Sequence, residues 1–190
     1  MHTSLLRITT WRYIWPLLVL FCGITFFVFP SYQTRLNEIA GEEVKSLDTR
    51  LSYSPEDVHQ AFEKLGVAGR SIYRSVVGGI DMVYPLVYGL LFILVLANLL
   101  KKTIDPGSRF MLLSLLPLLG VGCDYLENIN TLSLLRDYPH LSAQKVAWGE
   151  QMTRMKHAFL FLTLGSALLL AVALLVKRLK KGIGHPGSFI

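Results

Sequence analysis

The stretch 82-MVYPLVYGLLFILVLANLL-100 carries no charged side chain from one end to the other. An α-helix needs about 20 mostly apolar residues to cross a hydrocarbon core of about 30 Å, and this stretch has that length and character. Three further blocks have comparable length and character. The expected spans are about 13–30, 80–100, 109–133 and 154–177. They account for a composition that is 52% hydrophobic, with a mean hydropathy of +0.46. Too little chain remains between them for a soluble domain with a core of its own. The expectation is therefore a single all-α membrane domain over residues 1–190: an integral four-helix bundle, with short amphipathic helices in a long loop at 31–79.

Charge sets the expected orientation. With the N-terminus in the cytoplasm, the inner segments carry Arg7, Arg12, Lys101, Lys102, Arg109, Lys177, Arg178, Lys180 and Lys181, against one acid, Asp105. The outer segments then hold ten Lys and Arg against twelve Asp and Glu. Basic residues in short loops beside helix ends stay inside, so both termini are expected in the cytoplasm of a plasma or inner membrane. The net charge of +6 is mostly this topological bias, and it gives no nucleic-acid reading. Near the N-terminus, Arg7 and Arg12 precede the first apolar block, as in a secretory signal. That block ends Phe26-Phe27-Val28-Phe29-Pro30, with no small residues at a cleavage site. An uncleaved anchor is expected, with Trp11, Tyr13 and Trp15 at one interface and Tyr32 at the other.

Within the long loop, Ser54-Pro55-Glu56-Asp57 reads as a helix start, with Ser as N-cap and Pro in the first turn. Val58, Ala61, Phe62 and Leu65 give the apolar stripe of that helix, and Gly66 its expected stop. A weaker stripe runs through Leu36, Ile39, Ala40 and Leu47. After Gly69 the chain is expected to run helically into the second span, with a break at Gly78-Gly79. Cys22 and Cys123 stand alone. Without a C-x-x-C pair, a quinone-linked disulfide oxidoreductase is set aside.

The third block carries the chemistry. From Phe110 it is apolar for about 13 residues, about 20 Å of α-helix. It then reads Cys123-Asp124-Tyr125-Leu126-Glu127-Asn128. Asp124, Glu127 and Asn128 share one helical face at the outer end of the span. At the same depth the second helix brings Asp81, Tyr84 and Tyr88, and the fourth brings Thr153, Lys156 and His157. Arg70 and Arg74 lie just above. Pro85 has no N–H, so the Asp81 carbonyl loses its helical donor, and in a membrane it must find another. Convergence of these faces would make a polar pocket. Asp124 and Glu127 are the candidate catalytic or head-group-binding pair, and Arg70, Asp81, Tyr84, Asn128, Lys156 and His157 the candidate ligand-binding residues. The competing reading is an ion pair that fixes helix register. No metal site is expected, because no ligand pair has a spacing such as H-E-x-x-H. No cofactor is indicated, and a serine hydrolase has no G-x-S-x-G to support it.

One half of a wider pattern is Tyr53-Ser54-Pro55-Glu56-Asp57, Leu65-Gly66, Gly69-Arg70, Tyr73, Asp81, Pro85 and Tyr88-Gly89. The other is Leu116-Pro117, Asp124-Tyr125-Leu126-Glu127-Asn128, Tyr138-Pro139 and Lys156. Over roughly residues 50–160 the chain resembles an uncharacterised family of small four-helix membrane proteins found mainly in bacteria. The resemblance implies the topology and the marked residues, and no reaction type. The topology is also similar to that of claudin-like proteins, but the first outer loop has neither their W-G-L-W motif nor their cysteine pair. The leading expectation is a site that binds, with or without modifying, a lipid or other amphiphile at the outer leaflet. Ion- or proton-coupled transport as a homo-oligomer, and a structural or assembly subunit whose first loop docks a membrane-protein partner, are the alternatives.

Overall fold

The computed structural model describes residues 10–183, with side chains to residue 180. Arg7 and the Lys181 side chain, both part of the charge argument, lie outside the described residues. Among those described there is no strand. Four helical stretches are long and apolar enough to cross a membrane: Trp11–Ala40, Pro55–Thr103, Arg109–Asp137 and Ala143–Lys180. The chain is a polytopic integral membrane protein.

The first stretch is longer than the apolar block suggests. Helix α1 (Trp11–Gly23) passes through a π-turn (Ile24–Val28) directly into α2 (Phe29–Ala40). Pro30 was expected to end the span, since it cannot donate to the preceding turn. Instead the helix widens ahead of it. The Phe29 amide reaches back five residues to the Ile24 carbonyl, and such a π-bulge absorbs a local mismatch without ending the helix. The stop is Gly41, at φ 72°. The weak stripe from 35 to 47 is therefore no separate helix. Its first part belongs to α2, and its last residue opens a short 3₁₀ turn, Leu47–Thr49.

Helix α3 (Pro55–Val77) begins as the sequence predicts. The Ser54 hydroxyl accepts from the Asp57 amide at 3.2 Å, and the Asp57 carboxylate accepts from the Ser54 amide at 2.7 Å, a reciprocal capping box. Gly66 does not stop the helix. It sits at φ 58°, ψ −169°, a conformation essentially confined to glycine, and the helix resumes beyond the kink. Gly78-Gly79 makes the expected break before α4 (Ile80–Thr103). A turn in which the Asp105 carboxylate accepts from the Gly107 amide at 2.9 Å leads to the third span. That span begins as a 3₁₀ helix (Arg109–Leu115), not the α-helix expected, and becomes α5 only at Pro117 (Pro117–Asp137). A 3₁₀ helix rises about 2 Å per residue, so the apolar run reaches further than the α-helical figure. Helix α6 (Ala143–Ile183) is the last of the described elements.

Packing divides the molecule in two. At the end that carries the loop, Leu36, Leu47, Val58, Phe62, Tyr73, Leu134 and Val146 form a close-packed core. Here α2, α3 and the loop cap the bundle, as a soluble domain would. Tyr32, expected in an interfacial belt, packs here against Tyr73 with ring centroids 6.5 Å apart. In the spans the pattern inverts: Phe27, Leu168 and Leu169 are 72%, 65% and 72% exposed. Apolar side chains facing outward in this number suit hydrocarbon surroundings. Trp11 and Trp15 are 53% and 58% exposed at the start of α1.

Candidate functional site

Helix α4 and helix α5 are joined at a point that a single proline dictates. Pro85 leaves the Asp81 carbonyl without its helical donor. The Asn128 amide supplies one from α5, at 2.8 Å. One residue on, the Met82 carbonyl accepts from the Tyr125 hydroxyl at 2.9 Å. These two bonds set the rotation of α5 about its axis. They turn Asp124, Glu127 and Thr131 inward, where they are 7%, 0% and 3% exposed. On the same face, α5 and α6 approach closely at Gly120, where a Cβ would stand in ordinary contact, 3.5 Å from the Phe159 Cβ.

That approach brings Lys156 onto the carboxylates. Its Nζ lies 2.5 Å from Glu127 Oε2 and 3.4 Å from Asp124 Oδ1. The Thr153 hydroxyl is 2.7 Å from Glu127 Oε1 and 3.1 Å from the Gly149 carbonyl. Its one proton belongs to the shorter, charge-assisted contact. Tyr53, from the loop, lies 3.4 Å from the Thr153 oxygen. Burial pushes the Tyr53 phenol up to about 12, so it remains an O–H donor. The Tyr88 hydroxyl donates to Asp124 Oδ2 at 2.9 Å. His157 Nδ1 is 2.8 Å from the Thr153 carbonyl. A carbonyl only accepts, so Nδ1 carries the proton of that bond.

Asp124 and Glu127, adjacent on the helix, have different surroundings. Glu127 is fully enclosed by Lys156 and Thr153. Asp124, Lys156 and His157 instead form the polar end of a cavity of about 450 Å³. Its other walls are mostly apolar or aromatic, with Phe21 from α1, Tyr84 and Phe92 from α4, Pro117 from α5, and Leu160 and Leu164 from α6; Thr163 of α6 adds one hydroxyl. Tyr84 stacks on Phe21 (5.8 Å) and shares a 2.9 Å hydrogen bond with Thr25.

Two of the expected residues stand elsewhere. Arg70 donates to the Phe62 carbonyl at 2.6 Å and lies 4.4 Å above the Tyr138 ring. Beyond the kink at Gly66, Arg70 is engaged by that carbonyl and not by the carboxylates. The Asp81 side chain lines a second cavity of about 270 Å³, with Tyr32, Ser46 and Asp48; only its backbone carbonyl meets Asn128. Among the described residues no three His, Cys, Asp or Glu side chains are grouped to hold a metal. Phe21, Thr25 and Phe92 are not marked by any pattern in the sequence, and Tyr53 is marked there only as part of the Y-S-P-E-D run, with no role at the site. Their roles depend on α1 and the loop packing against helices distant in sequence, which no local pattern announces.

No family model, curated protein or solved structure matches the chain, so the resemblance drawn from its Y-S-P-E-D and D-x-x-E-N patterns rests on those residues alone.

Proposed function

We propose that the protein binds a membrane amphiphile, its apolar part in the cavity between α1, α4, α5 and α6 and its polar head at Asp124 and Lys156. The observation that supports this most is the asymmetry of the cavity. One end presents a carboxylate, an ammonium and an imidazole, and the rest is hydrocarbon and aromatic apart from the Thr163 hydroxyl. Such a lining suits a ligand with a small polar head and an apolar body. Counted as ionised, two carboxylates face one ammonium. A head group that brings a cation or strong donor to Asp124 completes the charge balance. Glu127 has a different part: sealed and paired, it holds Lys156 in position, which is the register role first set against a functional one. In the same proposal both termini are cytoplasmic and the cavity's polar end lies toward the outer leaflet, as the basic inner segments require. Transport is less well supported, because Phe92, Leu160 and Leu164 dominate the lining further inward, with the single hydroxyl of Thr163 among them, and a conducting path needs more polar lining.

Photo-crosslinking in native membranes tests the reading. A phospholipid with a diazirine near the end of its acyl chain is expected to label Leu160 and Leu164 in the wild type. Labelling there should fall by about tenfold in Asp124→Asn, the loss of one charge-assisted contact. Labelling confined to outward residues such as Phe161 and Leu168, and equal in both proteins, would rule the cavity out as a lipid site.

A further inference from the structure

Arg70 and Arg74 stand one helical turn apart on α3, beyond the kink at Gly66. Each makes one structural bond. Arg70 caps the Phe62 carbonyl, and Arg74 donates to the Leu135 carbonyl in the last turn of α5 at 3.0 Å. A guanidinium has five N–H donors, and no described carboxylate pairs with either arginine. Like charges at this spacing repel. Both arginines line one groove of about 210 Å³, together with Ser71 and Val67. Arg74 also lines the adjoining groove of about 460 Å³, with Ile129 and Arg136. Arg136 shares the one carboxylate of Asp137 with Lys145, at 3.0 and 2.5 Å, so the grooves carry net positive charge, with Arg70 and Arg74 facing no carboxylate at all.

Position identifies what neutralises them. Arg74 precedes the start of α4 at Ile80 by about 9 Å of helix rise, which places it in the head-group layer. Ile129, which lines the larger groove, and Leu126, one turn earlier on α5, are 58% and 44% exposed, as apolar side chains facing hydrocarbon would be. We propose that this groove binds the phosphate of an anionic lipid in the leaflet at the loop end of the bundle. The two guanidinium groups take the phosphate oxygens, the Ser71 hydroxyl adds a donor, and the acyl chains lie over Leu126 and Ile129. Arginine suits this task because its planar fork matches phosphate oxygens in pairs. The site is separate from the cavity and stands whether or not the cavity holds an amphiphile.

The test is native mass spectrometry of the full chain in mild detergent, titrated with dioctanoyl phosphatidylglycerol, with dioctanoyl phosphatidylcholine, or with glycerol 3-phosphate. The wild type is expected to retain one phosphatidylglycerol about tenfold better than phosphatidylcholine, an advantage that shrinks as salt rises. Folded Arg74→Gln should lose that preference. Should that variant fail to fold, Arg74→Lys keeps a donor for the Leu135 carbonyl and should still bind phosphatidylglycerol several-fold more weakly than wild type. Equal retention of the two lipids by the wild type would overturn the proposal. So would undiminished phosphatidylglycerol binding in whichever of the two variants folds. Binding of glycerol 3-phosphate as tight as that of the lipid would assign the groove to a soluble phosphate, and would overturn it too.

Discussion

Lys156→Met is expected to destabilise the protein by about 3–5 kcal/mol, the usual cost of leaving a buried charge without its partner. Glu127 has no exposed surface, and the described structure gives one of its oxygens to Lys156 and the other to Thr153. Removing the ammonium leaves the carboxylate with the threonine hydroxyl alone. Adding Glu127→Gln removes the stranded charge, so the double variant should be more stable than Lys156→Met by about 2 kcal/mol. Unfolding by increasing SDS in mixed micelles, followed by circular dichroism, measures all three variants on one scale. Strict additivity of the two single effects would mean that Lys156 and Glu127 are not energetically coupled. The structural role assigned to the pair would then fall.

The second large effect concerns the junction between α4 and α5. Asn128→Leu should cost about 1–3 kcal/mol, because it removes the donor that the Asp81 carbonyl lacks within its own helix. The cause can be isolated by restoring the missing donor. Pro85→Ala returns an N–H to the helix, and that N–H lies in line with the Asp81 carbonyl. In the Pro85→Ala background, Asn128→Leu is expected to cost less than about 1 kcal/mol. If Asn128→Leu costs the same in both backgrounds, the amide stabilises the protein by some means other than the carbonyl it caps. The same micelle titration reads the result.

The junction also shows what could be derived from residues alone. A proline in an apolar run implies an orphaned carbonyl four positions back, and a membrane demands that it be satisfied. From Pro85 the need at Asp81 follows directly, and the i, i+3, i+4 spacing on α5 brings Asn128 to the face that can meet it. The inward grouping of Asp124, Glu127 and Lys156 follows from the same periodicity, applied to two helices that cross at one depth. The four spans follow from block length.

Other features lay beyond such reasoning. Arg70 was placed near the carboxylates because it precedes the second span. Beyond the glycine-only conformation at Gly66, Arg70 is engaged by the Phe62 carbonyl instead. A glycine at that position reads equally as a stop or as a kink. Pro30 misled in the opposite sense, since a π-turn lets the first helix continue past a residue that ordinarily ends one. Tyr53 reaches Thr153 across 100 positions of sequence, and Phe21 reaches the cavity from α1. Contacts of that kind are set by how helices pack after they form. Periodicity within one helix carries no information about them. The separation of roles between Asp124 and Glu127 belongs here too, since both occupy the same face and only the position of α6 seals one and leaves the other at the cavity.

That separation is the core of the functional account, and one measurement addresses it directly. Native mass spectrometry of the protein released from mild detergent, wild type beside Asp124→Asn, reports what remains bound. The account predicts a discrete amphiphile on the wild type, and its occupancy reduced at least about tenfold in a variant that still folds. A wild type that flies without any bound amphiphile, or one retained equally by Asp124→Asn, would contradict it.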